Sequence, residues 1–149
     1  LIILRSLSKT AGLAGLRIGF GFGNQNLIER ISRVTGPYDI NSFAITAAFA
    51  ALEDQQYINQ YVQDILQAKK WIRSKLEQAN VKNHIGGGNF LLIWPKNGPE
   101  EVEASLKSQG ILVRNMSQKP LLKGALRVSI GTIEQMKQFW TIYTNIDLT

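Results

Sequence analysis

The sequence predicts an α/β protein in which a short α/β segment leads, through one long helix, into a small α+β unit. Three observations support this prediction. The apolar run Leu1–Leu4 resembles a buried strand of a parallel sheet. Apolar residues then recur at helical spacing from about Gln55 to Gln78. Beyond Val81 the pattern changes to strand-length apolar segments that are separated by Gly and Pro.

The leading segment is predicted to contain two strands and two helices. A Gly- and Ser-rich loop over residues 5–15 joins the first strand to a second one at Leu16–Phe22. A helix capped by Asn24 or Asn26 follows and ends before residue 36, where Gly-Pro stops it. The next helix, over residues 43–52, is rich in alanine, and small side chains on nearly all of its sides predict tight burial.

The C-terminal part is predicted to be a two-layer α+β unit of order β-α-β-β-α. Its strands are expected at Asn89–Trp94, Ile111–Asn115 and Leu126–Ile130. Pro99 and the acidic residues after it favour the first turn of the first helix, which Gly110 ends. Thr132 can cap the last helix, which extends through Tyr143.

Composition and charge exclude several classes of protein. The net charge of +6 comes from scattered Lys and Arg residues, and no basic block carries the interleaved aromatic residues of a nucleic-acid binder. A small anionic ligand suits this distribution better than a polymer does. With no Cys and a single His, His84, the sequence predicts no metal site, and His84 is expected at the surface or at a helix end. No apolar stretch approaches the roughly 20 residues that cross a bilayer, so we expect no membrane partner.

The segment R-S-L-S-K-T-A-G-L-A-G-L-R, residues 5–17, combines residues that suit a phosphate-bearing aldehyde. The hydroxyls of Ser6 and Ser8 precede Lys9, and Arg17 follows further along. A phosphate favours several converging donors and a guanidinium that can bond two of its oxygens. A lysine amine can react with an aldehyde on the same molecule. Pyridoxal phosphate has this layout, although S-x-S-K alone occurs by chance in many loops and is no Walker A motif.

The stretch S-L-S-K-T-A-G-L-A-G-L-R-I-G-F resembles the cofactor-lysine region of fold-type I, pyridoxal-phosphate-dependent aminotransferases. Within that superfamily the chain is most similar to histidinol-phosphate aminotransferases. The resemblance covers essentially the whole chain, and its further segments are Pro37–Ser42, the Gly-rich turn before Asn89, Ile111–Asn115 and Leu126–Thr132. It implies a fold-type I aminotransferase and a C-terminal piece of it.

The resemblance assigns the cofactor contacts to the lysine segment. Lys9 would be the catalytic residue, which holds pyridoxal phosphate covalently and, once released by substrate, moves the proton at substrate Cα. Ser6, Ser8 and Arg17 would bind the cofactor phosphate. The aspartate that partners the cofactor's pyridine nitrogen in this superfamily precedes the lysine and lies outside these residues. We therefore expect the chain alone to bind the cofactor poorly and to be inactive.

Substrate contacts implied by the resemblance lie further along the chain. Arg127 would bind the anionic end of the substrate, Arg114 would be a secondary anion contact, and Asn41 a substrate-side residue. The alternation L-R-V-S-I independently predicts that Arg127 points away from the apolar face of its strand. An arginine that simply faces solvent would show the same pattern. Asp39, where the family often has Asn, adds a negative charge near Asn41.

The resemblance also implies the domain organisation and the assembly. Residues 1–53 would be the end of the large cofactor-binding domain, residues 54–80 a connecting helix, and residues 81–149 the small domain. The parent protein is expected to be a cytoplasmic homodimer.

The predicted activity of the parent protein is transamination, from histidinol phosphate to 2-oxoglutarate, in histidine biosynthesis. Three alternatives stay open: a threonine-phosphate decarboxylase-like lyase, an aminotransferase for another amino acid, and a non-catalytic binding or assembly module in which Lys9 is a surface lysine.

Overall fold

A computed structural model describes residues 1–148, which form two compact units. The first unit is Leu1–Val62 and the second is Gln63–Thr149, so the boundary lies within the longest helix. The helices are α1 (Gln25–Ser32), α2 (Ser42–Glu53), α3 (Gln55–Gln78), α4 (Pro99–Ser108) and α5 (Ile133–Asp147). The strands are β1 (Ile2–Ser6), β2 (Gly19–Gly23), β3 (Lys82–His84), β4 (Phe90–Trp94), β5 (Arg114–Asn115) and β6 (Leu126–Ser129). No helix within residues 1–148 combines the length and the apolar character of a membrane span.

The first unit contains an antiparallel pair, β1 and β2, whose register runs from Ile2↔Gly23 to Ser6↔Gly19. The predicted buried, parallel-type strand at the start of the chain is therefore wrong for the described residues: β1 pairs antiparallel, and all its residues are exposed. Within the described residues β2 is the one strand that pairs with β1, so the other edge of β1 and most of its surface stay open.

The core of the first unit is small. Its buried members are Leu7, Ile18, Ala44 and Ala48. The prediction that α2 is buried on nearly all sides is wrong, because Phe43 is 82% exposed on that helix. The buried residues of α2 are Ala44 and Ala48, so one stripe of the helix makes the contact, while other small residues such as Ala50 are exposed.

The second unit is a four-stranded antiparallel sheet of order β3-β4-β6-β5, with helices on one face. Alternate residues of β4 and β6 point into the core, and helices α3, α4 and α5 cover them. The fully buried side chains of this core include Leu91, Ile93, Leu126, Ile72, Leu106, Phe139 and Tyr143. The predicted α3, α4 and α5 and the central strands β4 and β6 are confirmed.

Two strands differ from the prediction. The strand β3 was not predicted, and it adds a strand before the expected β-α-β-β-α order. Its sequence, K-N-H, has no apolar alternation, so its conformation depends on pairing with β4, where Lys82 lies opposite Trp94 and His84 opposite Leu92. The strand expected at Ile111–Asn115 is reduced to β5, since only its last two residues pair with β6.

Candidate functional site

The lysine segment is held at one end of the β1–β2 pair. Ser6, the last residue of β1, lies opposite Gly19, the first residue of β2, so the connection between them begins and ends at the same place. Both Lys9 and Arg17 lie in this connection. The two strands approach closely at Gly19, where a Cβ would lie 3.1 Å from the carbonyl oxygen of Arg5 and one of the two backbones would have to shift slightly.

The first part of the connection is a hydrogen-bonded turn. The hydroxyl of Ser6 donates to Oγ of Ser8 at 2.8 Å, and the Ser8 backbone N–H donates to Oγ of Ser6 at 3.1 Å. The carbonyl of Leu7 accepts hydrogen bonds from the backbone N–H groups of Ala11 and Leu13. The buried side chain of Leu7 anchors the turn, and Lys9 is exposed to solvent.

Arg17 ends the connection in a left-handed backbone conformation, with φ of 56°. Non-glycine residues adopt this region rarely, and they often do so where a side chain has a function. Its guanidinium donates one hydrogen bond to the carbonyl of Ala14 at 3.2 Å. Because a guanidinium carries five N–H donors, most of them stay available for an anion.

Asn41 connects this loop to the start of α2. Its side-chain oxygen accepts from the backbone N–H of Ala44 at 2.8 Å as the helix cap, and its amide donates to the carbonyl of Leu16 at 3.3 Å. The carboxylate of Asp39 accepts from the backbone N–H of Gly36 at 2.8 Å and fixes the preceding turn. Both residues thus have structural contacts, and the substrate role of Asn41 stays a prediction.

The second unit carries a row of side chains across all four strands. His84 pairs with Leu92, Leu92 with Arg127, and Arg127 with Arg114, so the four residues share one face of the sheet. That face is opposite to the core, which receives Leu91 and its alternate neighbours. Sequence analysis missed His84 as a member of this row, because its strand has no recognisable pattern.

The two arginines face each other without a counter-charge. Within residues 1–148, neither guanidinium makes an ion pair or a hydrogen bond with a side chain. Like charges directly opposite each other on a sheet are destabilising, so the Arg114–Arg127 pair is suited to an anion.

A cavity of about 380 Å³ lies beside Arg127. The Arg127 guanidinium is 5.5 Å from the centre of the Phe90 ring, within the range of a cation–π interaction. The lining residues are His84, Gly86, Gly87, Gly88, Phe90, Leu92, Met116, Leu122 and Arg127. Arg114 is not among them.

The described part of the chain has no group of three or more His, Asp or Glu side chains that could hold a metal ion. The site residues therefore form two groups. One is the loop with Ser6, Ser8, Lys9 and Arg17 in the first unit, and the other is the arginine row in the second.

Comparison with known proteins is consistent with this arrangement. The profile of the family described as aminotransferase class I and II matches residues 1–141. A histidinol-phosphate aminotransferase of Oceanobacillus iheyensis is 39% identical over 142 residues, which are 93% of this chain and 40% of that protein. A crystal structure of a proposed aminotransferase from Burkholderia pseudomallei has a TM-score of 0.88 and 26% identity over 97% of this chain and 44% of that one.

A histidinol-phosphate aminotransferase from Sinorhizobium meliloti, in complex with pyridoxal-5'-phosphate, has a TM-score of 0.82 and 22% identity over 97% of this chain and 40% of that one. The predicted fold class, fold-type I α/β, is confirmed by these structures. The chain spans about 40% of the length of the curated relative. It belongs to the class I and II aminotransferase family.

Proposed function

We propose that this chain is the C-terminal part of a pyridoxal-phosphate-dependent aminotransferase. Its amino donor is histidinol phosphate and its acceptor is 2-oxoglutarate, and the products are imidazole-acetol phosphate and glutamate. Family membership and 39% identity to the Oceanobacillus enzyme support this assignment. The observation that carries it is the loop after β1, which gathers two hydroxyls, a lysine and an arginine at one end of a strand pair.

These residues fit the phosphate and the aldehyde of pyridoxal phosphate. The Ser6 and Ser8 hydroxyl oxygens are 2.8 Å apart, so one phosphate group can contact both. Arg17 uses one of its N–H groups within the chain and keeps the others for phosphate oxygens. The Lys9 amine is exposed and has no bonding partner in residues 1–148.

When bound, pyridoxal phosphate supplies an aldehyde and an electron-withdrawing ring. Lys9 engages the aldehyde and, once released, takes up and returns the proton at substrate Cα. Ser6, Ser8 and Arg17 orient the phosphate. Arg127 binds the anionic end of the substrate, and Arg114 lies opposite it on β5 as a second positive charge.

The proposal includes the organisation of the parent protein. Residues 1–53 belong to its large domain, residues 54–80 to a connecting helix and residues 81–149 to its small domain. The parent protein is a cytoplasmic homodimer, and the chain by itself is inactive.

The proposal is tested in the full-length protein by comparing Lys9→Ala with Lys70→Ala, a control at an exposed lysine of α3. Each protein is mixed with pyridoxal phosphate, reduced with borohydride and digested, and the labelled lysine is identified by peptide mass. We expect label on Lys9 in the parent and in the control. The Lys9→Ala protein should lose this label and at least about a hundredfold in transamination rate.

Unchanged labelling and activity in the Lys9→Ala protein would show that Lys9 is only a surface lysine, and the absence of labelling and activity in the parent protein would support the non-catalytic alternative. Substrate choice is measured separately, with histidinol phosphate and O-phosphothreonine as competing donors. Formation of glutamate from 2-oxoglutarate and histidinol phosphate is the expected result, whereas release of carbon dioxide from O-phosphothreonine would identify a lyase.

A further inference from the structure

His84 lies in the same row as Arg127, one strand beyond Leu92. His84 is on β3, Leu92 on β4 and Arg127 on β6, and the registers of the two strand pairs align all three. Because neighbouring strands are about 4.8 Å apart, the Cα atoms of His84 and Arg127 are about 10 Å apart. A small ligand that lies over Leu92 can therefore contact both side chains.

The Arg127 side chain leans toward His84 rather than toward Arg114. Its guanidinium lies 5.5 Å from the centre of the Phe90 ring, and Phe90 belongs to β4, on the His84 side of β6. The strand β5 with Arg114 is on the other side of β6. In agreement with this direction, the cavity beside Arg127 is lined by His84 and not by Arg114.

The wall of the cavity next to His84 is held in place by two side chains of α3. Lys69 Nζ donates to the carbonyl of Gly88 at 3.1 Å, and the Arg73 guanidinium donates to the carbonyl of Ile85 at 3.1 Å. The glycine turn borders the imidazole closely, since a Cβ on Gly86 would lie 3.6 Å from His84 Nε2. The imidazole itself makes no hydrogen bond with the residues that the structure describes.

We propose that His84 is a specificity-determining residue of the Arg127 site and selects phosphate monoesters over carboxylates. A guanidinium can bond two oxygens of an anion at once, and a carboxylate has only two oxygens. A phosphate monoester has a third terminal oxygen, and the imidazole N–H of His84 donates to it across Leu92. The inference rests on the proposed function only in that Arg127 is the anion-binding residue of the substrate site.

The experiment uses the chain of residues 1–149 and two probes with the same apolar body, phenyl phosphate and benzoate, at one fixed pH. His84 is the single histidine, so its imidazole resonances are identified in NMR spectra without further assignment. We expect phenyl phosphate to shift these resonances and benzoate to leave them nearly unchanged. In Arg127→Gln, phenyl phosphate should no longer shift them.

Dissociation constants of the variants show whether His84 or Arg114 distinguishes the two probes. His84→Ala should raise the constant for phenyl phosphate about tenfold and leave that for benzoate within about twofold, as expected for one lost bond to a charged group. His84→Gln, which keeps an N–H donor, should recover part of the affinity. Arg114→Ala should weaken the binding of both probes by a similar factor, because Arg114 adds positive charge without distinguishing the two anions. Lys107→Ala, at an exposed lysine of α4 that does not line the cavity, is the matched control and should change both constants by less than about twofold.

Three results would overturn the inference: no binding of phenyl phosphate by the wild-type chain, an equal loss for both probes in His84→Ala, or a loss in Arg114→Ala but not in His84→Ala. Tryptophan fluorescence establishes that each variant is folded, and His84 is exposed on an edge strand. None of these results affects labelling of Lys9 in the full-length protein, so the proposed function fails or stands independently.

Discussion

Gly88 determines where the Phe90 ring lies in relation to Arg127. A Cβ at position 88 would lie 2.9 Å from Cε1 and 3.1 Å from Cδ1 of Phe90, so the ring has to move when any side chain is introduced there. The attraction between a guanidinium and a ring acts within about 6 Å. We therefore expect Gly88→Ala to weaken the binding of phenyl phosphate to the chain about fivefold, measured by calorimetric titration.

The neighbouring Gly87 provides the matched control for this prediction. A Cβ at position 87 meets no atom within 4 Å, so Gly87→Ala should bind phenyl phosphate like the wild-type chain. The free energy of unfolding should change by less than about 1 kcal/mol in both variants, because the ring lies at the surface. Equal losses of affinity in the two variants would show that the position of the ring does not matter.

How far the site follows from the sequence depends on the distance between its residues along the chain. Ser6, Ser8 and Lys9 lie within four positions, so their proximity requires only a turn. Arg127 follows from the alternation of its own strand. His84 does not, because its position in the row is set by pairing with Leu92, and the pattern of residues 82–84 contains no sign of a strand. The register between strands that are distant in the chain is therefore the feature of the site that the local sequence pattern does not predict.

At the scale of elements, the end of α5 is fixed to the turn after β4 by a buried carboxylate. Asp147 accepts hydrogen bonds from the backbone N–H groups of Lys96 at 3.1 Å and Asn97 at 2.8 Å. The hydroxyl of Tyr143, one helical turn earlier, donates to the same carboxylate at 2.6 Å. Burial, and then the hydrogen bond to Asp147 and its negative charge, raise the pKa of Tyr143 well above the usual value.

This raised pKa predicts a loss of stability in alkaline solution. The contribution of Tyr143 is complete below the pKa of an unfolded tyrosine, about 10, and is lost progressively as the pH rises from there toward the folded value. We expect the free energy of unfolding to fall as the pH rises above about 10, measured by urea denaturation with circular dichroism. Tyr143→Phe should be about 1–2 kcal/mol less stable near neutral pH and should show a shallower alkaline decline.

Tyr57→Phe is the control, since Tyr57 is 61% exposed and its removal should leave the alkaline decline as steep as in the wild-type chain. A decline of the same slope in Tyr143→Phe would mean that other groups, such as lysines, cause it.

Helices were predicted more accurately than strands for a physical reason. The 24-residue helix α3 follows from its own apolar spacing, and α5 begins at the capping box of Thr132 and Gln135. A strand is stable only through its neighbours. The apolar β1 was expected to be buried, yet among the described residues it pairs with β2 alone and is exposed. The apolar composition of β1 predicts a strand, but it does not predict which elements surround that strand.

On the scale of the whole molecule, the two units differ in the size of their cores. The first has four buried apolar residues in its cluster and the second has fourteen. Several large apolar side chains of the first unit are exposed, including Phe43 at 82% and Phe49 at 65%. Local stability follows the number of buried apolar contacts, so the first unit should open more readily than the second.

Hydrogen exchange tests this difference on two strands of equal length. Both β1 and β4 have five residues, but β4 pairs on both edges and is largely buried, whereas β1 pairs with β2 alone and is exposed, so pairing and burial both favour slower exchange in β4. We expect the amides of β4 and β6 to exchange at least about a hundredfold more slowly than those of β1 and β2.

Ile93→Ala, at a fully buried position of β4, should lower the protection of β4 and β6 by about 2–4 kcal/mol and leave β1 and β2 unchanged. Ile3→Ala, at a position of β1 that is 46% exposed, is the matched control and should leave β4 and β6 as protected as in the wild-type chain. Equal protection of the four strands, with Ile93→Ala lowering all of them together, would show that the chain unfolds as one cooperative unit.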